Sequence, residues 1–449
     1  MSLISEFTRI KKAGKRQYEN AKGKPLSLIE EITWGQKPFD AQDDAENMVI
    51  HGDNKEVMKT LLSEYDMAGK VKMIYIDPPF FSKADYDAVV KAGGENIRHL
   101  AYADKWEKGL SSYLKMLTAR LYLMRDLLAE DGLIWVHLDW HAAHYVKVFM
   151  DEIFGEKNFV NEIIWTYKSG GSSKRHFSRK HDTILVYSKT AKYDFFPQQE
   201  KSYNRQLKPY HFRGVKEYKD EVGWYTLVGM KDVWNIDMVG RTSSERTGYA
   251  TQKPEQLLLR MMESCTKEGD LCADFFCGSG TLAAVAASRN RRFIACDAGE
   301  LAVESTIGRL AKGNTSFRVF EAGKRDGGSR LNVKVGLEVE PFPASDKVLL
   351  RVRLLSLSER GLEKSVDEKM RETVRRIARE KPLDMVSSWS VDFEFNDADG
   401  IHRPDLVLTR TKGDLPDFCE KIADGPCRIR VKIVDIFGNS TYERMEYEG

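Results

Sequence analysis

The sequence predicts an α/β fold: a mostly parallel, mixed sheet with helices on both faces, plus a C-terminal β-rich α+β domain. Three observations predict it. Short apolar runs alternate with amphipathic helical spacing from about Met48 to Gly155, the pattern of strands joined by crossover helices. The alternation resumes from Thr251 to about Lys312. From about Asn314 the texture changes to runs that alternate like half-exposed strands.

Each element has its own signal. Residues 1–45 read as an N-terminal arm, poorly ordered at first and then loop-like. Its Arg9, Lys11, Lys12, Lys15, Arg16, Lys22 and Lys24 suit phosphate contact or a loose tail. Met48 to His51 is a short strand, and Asn54 to Glu64 has Val57, Leu61 and Leu62 on one helical face. Val71 to Ile76 is a buried strand. Residues 81–105, with Gly93-Gly94, read as irregular. Leu110 to Leu128 is a strong amphipathic helix, Leu133 to Leu138 a strand, Tyr145 to Phe154 a helix and His181 to Ser188 a strand. Pro254 starts a helix through Cys265. Leu271 to Phe276, Thr281 to Ser288 and Arg292 to Cys296 then read as strand, helix and strand, the last being the one further strand evident before the texture changes. Beyond it, Leu331 to Val339, Val348 to Leu355, Ser387 to Phe395, Leu406 to Thr409 and Arg428 to Ile436 read as strands, and Val366 to Glu380 as a charged, solvated helix. The predicted domains are the arm 1–45, an α/β unit 46–313 and a β-rich unit 314–449.

At 449 residues, 42% hydrophobic and 31% charged, the chain has the composition of a soluble globular protein. No run approaches the roughly 18 apolar residues of a membrane span. The first 24 residues hold no apolar h-region, so a cytoplasmic location is expected. Six cysteines form no C-x-x-C pair and read as reduced, buried residues. The net charge of +2 is uninformative, but its distribution is not. Between Lys168 and Lys219 thirteen Lys or Arg face four Asp or Glu, interleaved with aromatics such as Phe177, Tyr203, Tyr210 and Phe212. That pattern suits a polyanion whose bases can be stacked upon.

Two motifs carry chemistry. The apolar strand Met73-Ile74-Tyr75-Ile76 ends abruptly in Asp77-Pro78-Pro79-Phe80. Two prolines fix two φ angles, so an acceptor and a flat ring sit on a stiff loop at a strand's carboxyl end, where open α/β sheets place ligands. Such a loop can hold a planar group bearing an amine. Further on, Gly278, Gly280 and Ala283 fit G-x-G-x-x-A between a strand and a helix, and Asp297 closes the next strand. Glycines there let backbone approach a nucleoside-containing cofactor, and the acid can accept from ribose hydroxyls.

These motifs, with Thr251-Gln252-Lys253-Pro254 and His51-Gly52-Asp53-Asn54, resemble those of S-adenosylmethionine-dependent DNA amino-methyltransferases. The order, catalytic motif before cofactor motif, resembles the β group, which includes the modification subunits of type III restriction systems. The likeness covers roughly residues 48–312 and implies a Rossmann-like methyltransferase sheet. It implies that Asp77, Pro78, Pro79 and Phe80 are catalytic, with Asp77 and the Pro78 carbonyl accepting from the target amine and Phe80 stacking on a flipped base. It implies S-adenosyl-L-methionine as cofactor, bound by Asp53, Lys253, Pro254, Phe275, Phe276, Gly278, Gly280 and Asp297. Asp at the head of the catalytic motif resembles adenine N6 enzymes; cytosine N4 enzymes more often carry Ser there. Phe80 and Phe81-Ser82-Lys83 depart from the commoner Tyr and Asn-Thr-Gly of relatives.

The partner expected is DNA, contacted by Lys174, Arg175, Arg179, Lys180, Arg205, Lys208 and Arg213 in the basic segment 168–250, with the cofactor motif at 251–300. Arg241 and Arg246 are further phosphate candidates. A restriction or helicase subunit, or a second copy of the chain, would dock on the C-terminal domain, with the Arg428 to Ile436 strand as the edge of a sandwich-like module. His137, Asp139, His141 and His144 imitate a metal set, but methyl transfer needs no metal, and they read as structural or DNA-facing. The alternatives are a cytosine N4 methyltransferase, a non-catalytic DNA-recognition subunit and a nicotinamide enzyme.

Overall fold

A computed structural model describes residues 3–35, 47–82, 84–106, 109–168, 173–240, 242–323, 333–357, 362–410 and 414–449. The chain begins with helix α1 (Leu3–Glu19) and strand β1 (Leu26–Ile32), then β2 (Met48–His51), α2 (Asn54–Ser63) and β3 (Val71–Ile76). A hairpin, β4 (Asp85–Ala92) and β5 (Glu95–Ala103), leads to α3 (Gly109–Leu127), β6 (Leu128–Leu138) and α4 (Ala143–Phe154). β7 (Phe159–Thr166) and β8 (His181–Ser188) follow. A small antiparallel sheet of β9 (Gln199–Tyr203), β10 (Glu217–Lys219) and β11 (Trp224–Gly229) precedes β12 (Val233–Asn235). Then come α5 (Glu255–Cys265), β13 (Leu271–Asp274), α6 (Thr281–Ser288), β14 (Arg292–Asp297), α7 (Glu300–Lys312) and β15 (Phe317–Ala322).

The central sheet has the order β1-β15-β2-β14-β13-β3-β6-β8-β7-β12. It runs parallel from β15 to β6, with β1 antiparallel at one edge and β8 antiparallel between β6 and β7. The apolar runs are continuous because both faces are covered. Successive side chains of β3 alternate between two helical layers. Ile74 and Ile76 pack with α1 to α4, and Met73 and Tyr75 with α5 to α7. The predicted α/β class with helices on both faces is therefore the one observed. Among the described residues no helix is long and apolar enough to cross a membrane.

Several expectations need correction. The arm is not loop-like over its described part. Its basic residues mask an amphipathic α1, whose Ile10 is fully buried and whose Tyr18 stacks 5.2 Å from Tyr122 of α3. Residues 36–45 of that arm lie outside the described residues. The boundary at 313 falls too early, because β15 sits inside the central sheet between β1 and β2. Its sequence, Phe-Arg-Val-Phe-Glu-Ala, mixes charge into a buried strand. The block after the glycine motif thus continues through β14, α7 and β15, one helix and one strand more than expected. Residues 81–105 are mostly an ordered hairpin rather than irregular chain.

The C-terminal unit holds β16 (Val333–Pro341), β17 (Val348–Leu357), α8 (Glu368–Glu380), β18 (Val386–Asp392), β19 (Leu406–Thr409), β20 (Phe418–Ala423), β21 (Cys427–Asp435) and β22 (Ser440–Tyr447). Two sheets, β16-β17-β20 and β19-β18-β21-β22, share one core. β21 is interior; the edge is β22, which the sequence reading passed over because its polar residues hide the alternation. Two attachments tie this unit to the rest. Ala92 and Ile97 of the hairpin enter its core, the Gly93 amide donates to Asp384 at 3.2 Å, and the His99 ring lies 5.1 Å from Phe437. At the far edge of the sheet, buried Lys432 lies 2.6 Å from Glu30 of β1 and 2.8 Å from Glu304 of α7.

Candidate active site

Parallel strands β2, β14, β13 and β3 end along one edge of the sheet, so the residues following them converge. β13 and β3 are direct neighbours, with Cys272, Ala273 and Asp274 opposite Met73, Ile74 and Tyr75. After β3 the chain moves to one helical layer, after β13 to the other. That is the topological switch point at which open α/β sheets bind ligands. A cavity of about 450 Å³ opens there. The catalytic and cofactor candidates line it, except Pro78, Phe80, Pro254 and Gly280.

The proline loop holds Asp77 between two bases. Its Oδ2 pairs with the Lys253 ammonium, while buried Oδ1 has no hydrogen-bond partner among the described residues and lies 4.0 Å from Nδ1 of His137. Pro78 is buried beneath. Phe80 is half-buried beside the cavity, its ring 5.4 Å from the Lys253 ammonium and 5.8 Å from the His137 ring. Phe81 then takes φ +62°, a left-handed conformation that costs a bulky residue strain and turns the chain toward the hairpin.

The glycine turn works through backbone. The Gly278 amide donates to Asp297 Oδ2 at 3.0 Å, and the Gly299 amide to Oδ1 at 2.9 Å. Burial pushes the carboxyls of both Asp274 and Asp297 above their ordinary range. Gly278 has φ +51°, and a Cβ there would meet the Tyr249 ring at 3.1 Å. Gly280, expected to border the cofactor, instead packs against α7: a Cβ would lie 2.6 Å from Thr306 Cγ2. Pro254, likewise expected at the cofactor, is the buried residue that starts α5. Phe275 is fully buried and Phe276 partly so; both follow β13 rather than ending it. Asp53 caps α2 by accepting from the Lys55 amide, and Arg120 of α3 reaches both of its oxygens at 3.1 and 3.0 Å.

The seven basic candidates divide into two groups. Lys174, Arg175, Arg179 and Lys180 lie on the loop from β7 to β8. β7 runs in the same direction as β3, so this loop is at the cavity end of the sheet. Arg179 stacks 3.9 Å over Trp140, and Phe177 beside it is 99% exposed. Arg205, Lys208 and Arg213 are exposed on the connection from β9 to β10 of the separate small sheet, so two different parts of the fold carry the basic segment. Arg246 is exposed near the cavity wall, and Arg241 lies outside the described residues.

Sequence reasoning passed over several residues. Arg120 is one of three cations on α3, beside Lys115 and Arg125, with no pattern to single it out. Tyr249 lines the cavity, and no motif in the sequence marks it. His137 is fully buried rather than DNA-facing, accepting or donating to Tyr75 at 2.9 Å and Asp182 at 3.2 Å. Its pairing was hidden because Asp182 lies on another strand.

A family model described as DNA methylase matches residues 71–307, more than half of the chain. The chain is 35% identical over 177 residues to the type III restriction-modification enzyme EcoP15I Mod subunit of Escherichia coli, a match covering 36% of this chain and 27% of that relative. It is 26% identical over 327 residues to the type II methyltransferase M.EcaI of Enterobacter cloacae, covering 60% and 70%. It is 24% identical over 269 residues to the DNA adenine methyltransferase YhdJ of Escherichia coli strain K12, covering 58% and 82%. The chain thus spans about a quarter of the Mod subunit's length.

Proposed function

The chain belongs to the DNA methylase family, and on that premise we propose that it moves a methyl group from S-adenosylmethionine to the exocyclic N6 amine of adenine in DNA. One observation carries the reading: the Asp77 loop and the Gly278 turn, some 200 residues apart in sequence, end adjacent parallel strands and face one cavity. An acceptor for an amine and a backbone cradle for a nucleoside therefore meet at one place. Asp at the head of the proline motif and the adenine activity in the name of the YhdJ relative favour adenine.

The residues present fit that cofactor. Gly278 leaves its backbone bare toward the cavity, Asp297 keeps lone pairs beyond the two amides it accepts, and Asp53 stays part-exposed at the rim. Asp297 and Asp53 would hold the nucleoside, with Phe276 against its base and Lys253 near the other end. When bound, that cofactor supplies a methyl group on a sulfonium, already activated for transfer.

An exocyclic amine is a poor nucleophile because its lone pair is delocalised into the ring. Asp77 and the Pro78 carbonyl, both acceptors on a loop that cannot flex at two φ angles, draw on its N–H groups and favour a tetrahedral nitrogen. The Lys253 ammonium holds the Asp77 carboxyl in place. Orientation of this kind supplies much of the rate. The base must leave the duplex at a cost of a few kcal/mol, and stacking on Phe80 returns about 1–3 kcal/mol of it. Lys174, Arg175, Arg179 and Lys180 are placed to hold the flanking phosphates. By likeness to the Mod subunit, we infer work in a restriction-modification system, beside a restriction subunit and in the cytoplasm.

The test is transfer of a labelled methyl group from the cofactor to DNA by the full chain, followed by nucleoside analysis. N6-methyladenine is expected. N4-methylcytosine would assign the cytosine activity, and DNA binding with no labelled nucleoside would make the chain a recognition subunit.

A further inference from the structure

Methylating a neutral amine leaves its nitrogen with one proton too many, and Asp77 is the nearest acceptor to receive it. Beneath Asp77 lies a buried group with no role so far. His137 is fully buried at the end of β6, between Tyr75 of β3, Asp182 of β8 and the Trp165 ring. Its Nε2 lies 3.2 Å from Asp182 Oδ2, and Tyr167 donates to the other Asp182 oxygen at 3.1 Å. Its Nδ1 lies 2.9 Å from the Tyr75 hydroxyl and 4.0 Å from Asp77 Oδ1, the carboxylate oxygen that has no hydrogen-bond partner among the described residues.

We propose that His137 is a positioning residue for the catalytic acid, held by Asp182 in the Nε2–H tautomer so that its Nδ1 lone pair takes the reaction's proton from Asp77. This rests on the proposed function. Asp182 is an acceptor, so it selects the tautomer with hydrogen on Nε2. Burial pushes the Asp182 carboxyl up, but the His137 hydrogen bond and charge bring it below its ordinary value, with Lys253 and Tyr167 acting the same way. The charged and titratable groups facing His137 are thus Asp77 and Tyr75 from β3, Asp182 from β8, Tyr167 after β7 and Lys253 before α5.

The step balances as a proton transfer. The N–H bond of the methylated amine breaks, its pair stays on nitrogen, and the proton lands on Asp77. Protonation discharges the carboxyl and releases it from the Lys253 ammonium, and a half-turn then carries the proton to the buried side. There the O–H bond breaks and an Nδ1–H bond forms, giving an imidazolium beside the Asp182 carboxylate. The Tyr75 hydroxyl, which donates to the Nδ1 lone pair beforehand, turns to accept from it. After product leaves, the proton returns through Asp77 to solvent and the starting tautomer is restored. The arrangement puts the surplus positive charge beside the Asp182 carboxylate, which neutralises it.

The test uses the full chain carrying nitrogen-15 histidine, with His137→Gln identifying the His137 signals. Without DNA or cofactor, wild type should show the Nε2–H tautomer at His137 and Asp182→Asn the Nδ1–H tautomer. In single turnovers Asp182→Asn should lower the rate roughly 10²-fold and displace the acidic limb of the pH–rate profile. Its melting curve and its DNA and cofactor affinities should stay within about two-fold of wild type, and Asp182→Glu should recover most of the rate. An Nδ1–H tautomer in wild type, or an unchanged rate and pH profile in Asp182→Asn, overturns the proposal. Should wild type methylate no DNA, the proposed function fails and this proposal with it; methylation of DNA by a wild type in the Nδ1–H tautomer overturns this proposal alone.

Discussion

Two neighbouring strand ends of the sheet are built in opposite ways. β3 runs into Asp77-Pro78-Pro79-Phe80 and β13 into Phe275-Phe276-Cys277-Gly278. The proline loop has no amide hydrogens at two positions, so it can offer only acceptors and side chains. The glycine loop offers bare amides and permits φ +51° at Gly278 and +69° at Gly280. Their acids differ in the same sense. Both oxygens of Asp297 are taken by backbone amides, whereas buried Asp77 Oδ1 is left without a hydrogen-bond partner among the described residues. A satisfied acid can hold a ligand's fixed part. An acid with an open valence is suited to the part that changes. Adjacent strands thus divide holding from reacting.

The comparison breaks first at Asp77. Asp77→Ala should lower methyl transfer by roughly 10³-fold or more, with cofactor affinity, read by calorimetry, almost unchanged. Equal losses in both would mean that the two loops do not divide the work. A smaller effect belongs to the glycine loop. Gly280→Ala places a Cβ 2.6 Å from Thr306 at a left-handed φ. It should cost about 3 kcal/mol of stability in urea unfolding, from strain plus overpacking, while Asp77 stays in place.

The smallest effect sharpens how the proline loop's hairpin is held. Burial pushes the His99 imidazole down to about 4, and its Nε2 has no hydrogen-bond partner among the described residues. The folded site then binds fewer protons than the unfolded chain. Stability from this group is full above about pH 6.5 and lost as pH falls toward 4, about 2 kcal/mol between pH 7 and pH 5. His402, pushed down to about 3 by burial, slopes the same way. Urea unfolding of His99→Gln should therefore lack about 2 kcal/mol of the stability that wild type loses between pH 7 and pH 5.

How much of this was legible depended on where each residue's partner lies. β3 and β13 could be read because both faces are covered, so their residues are apolar without interruption and end sharply at proline or glycine. The hairpin could not. Ala92 and Ile97 are buried by α8 and β21, whose residues come about 280 to 340 positions later, and the exposed faces of β4 and β5 look like loop. α1 was masked by its lysines. Helix α3 was plain, but Arg120 within it was not, because its meaning comes from Asp53 on another helix. The seven basic residues formed one segment in sequence and lie on two parts of the fold in space, since β8 and the small sheet turn the chain away between them.

The triad of Glu30, Lys432 and Glu304 sets a rule for inheritance. Lys432 belongs to the C-terminal unit, whereas its carboxylate partners, buried Glu30 and part-buried Glu304, belong to β1 and α7. Removing Lys432 leaves the buried Glu30 carboxylate without its cation, at about 3–5 kcal/mol. A recombination event that exchanged residues 333–449 would have to deliver a cation at this one place or lose much of the fold's margin. The segments that carry Glu30, Glu304 and Lys432 are therefore expected to be inherited together, even though the catalytic motifs lie between Glu30 and Glu304.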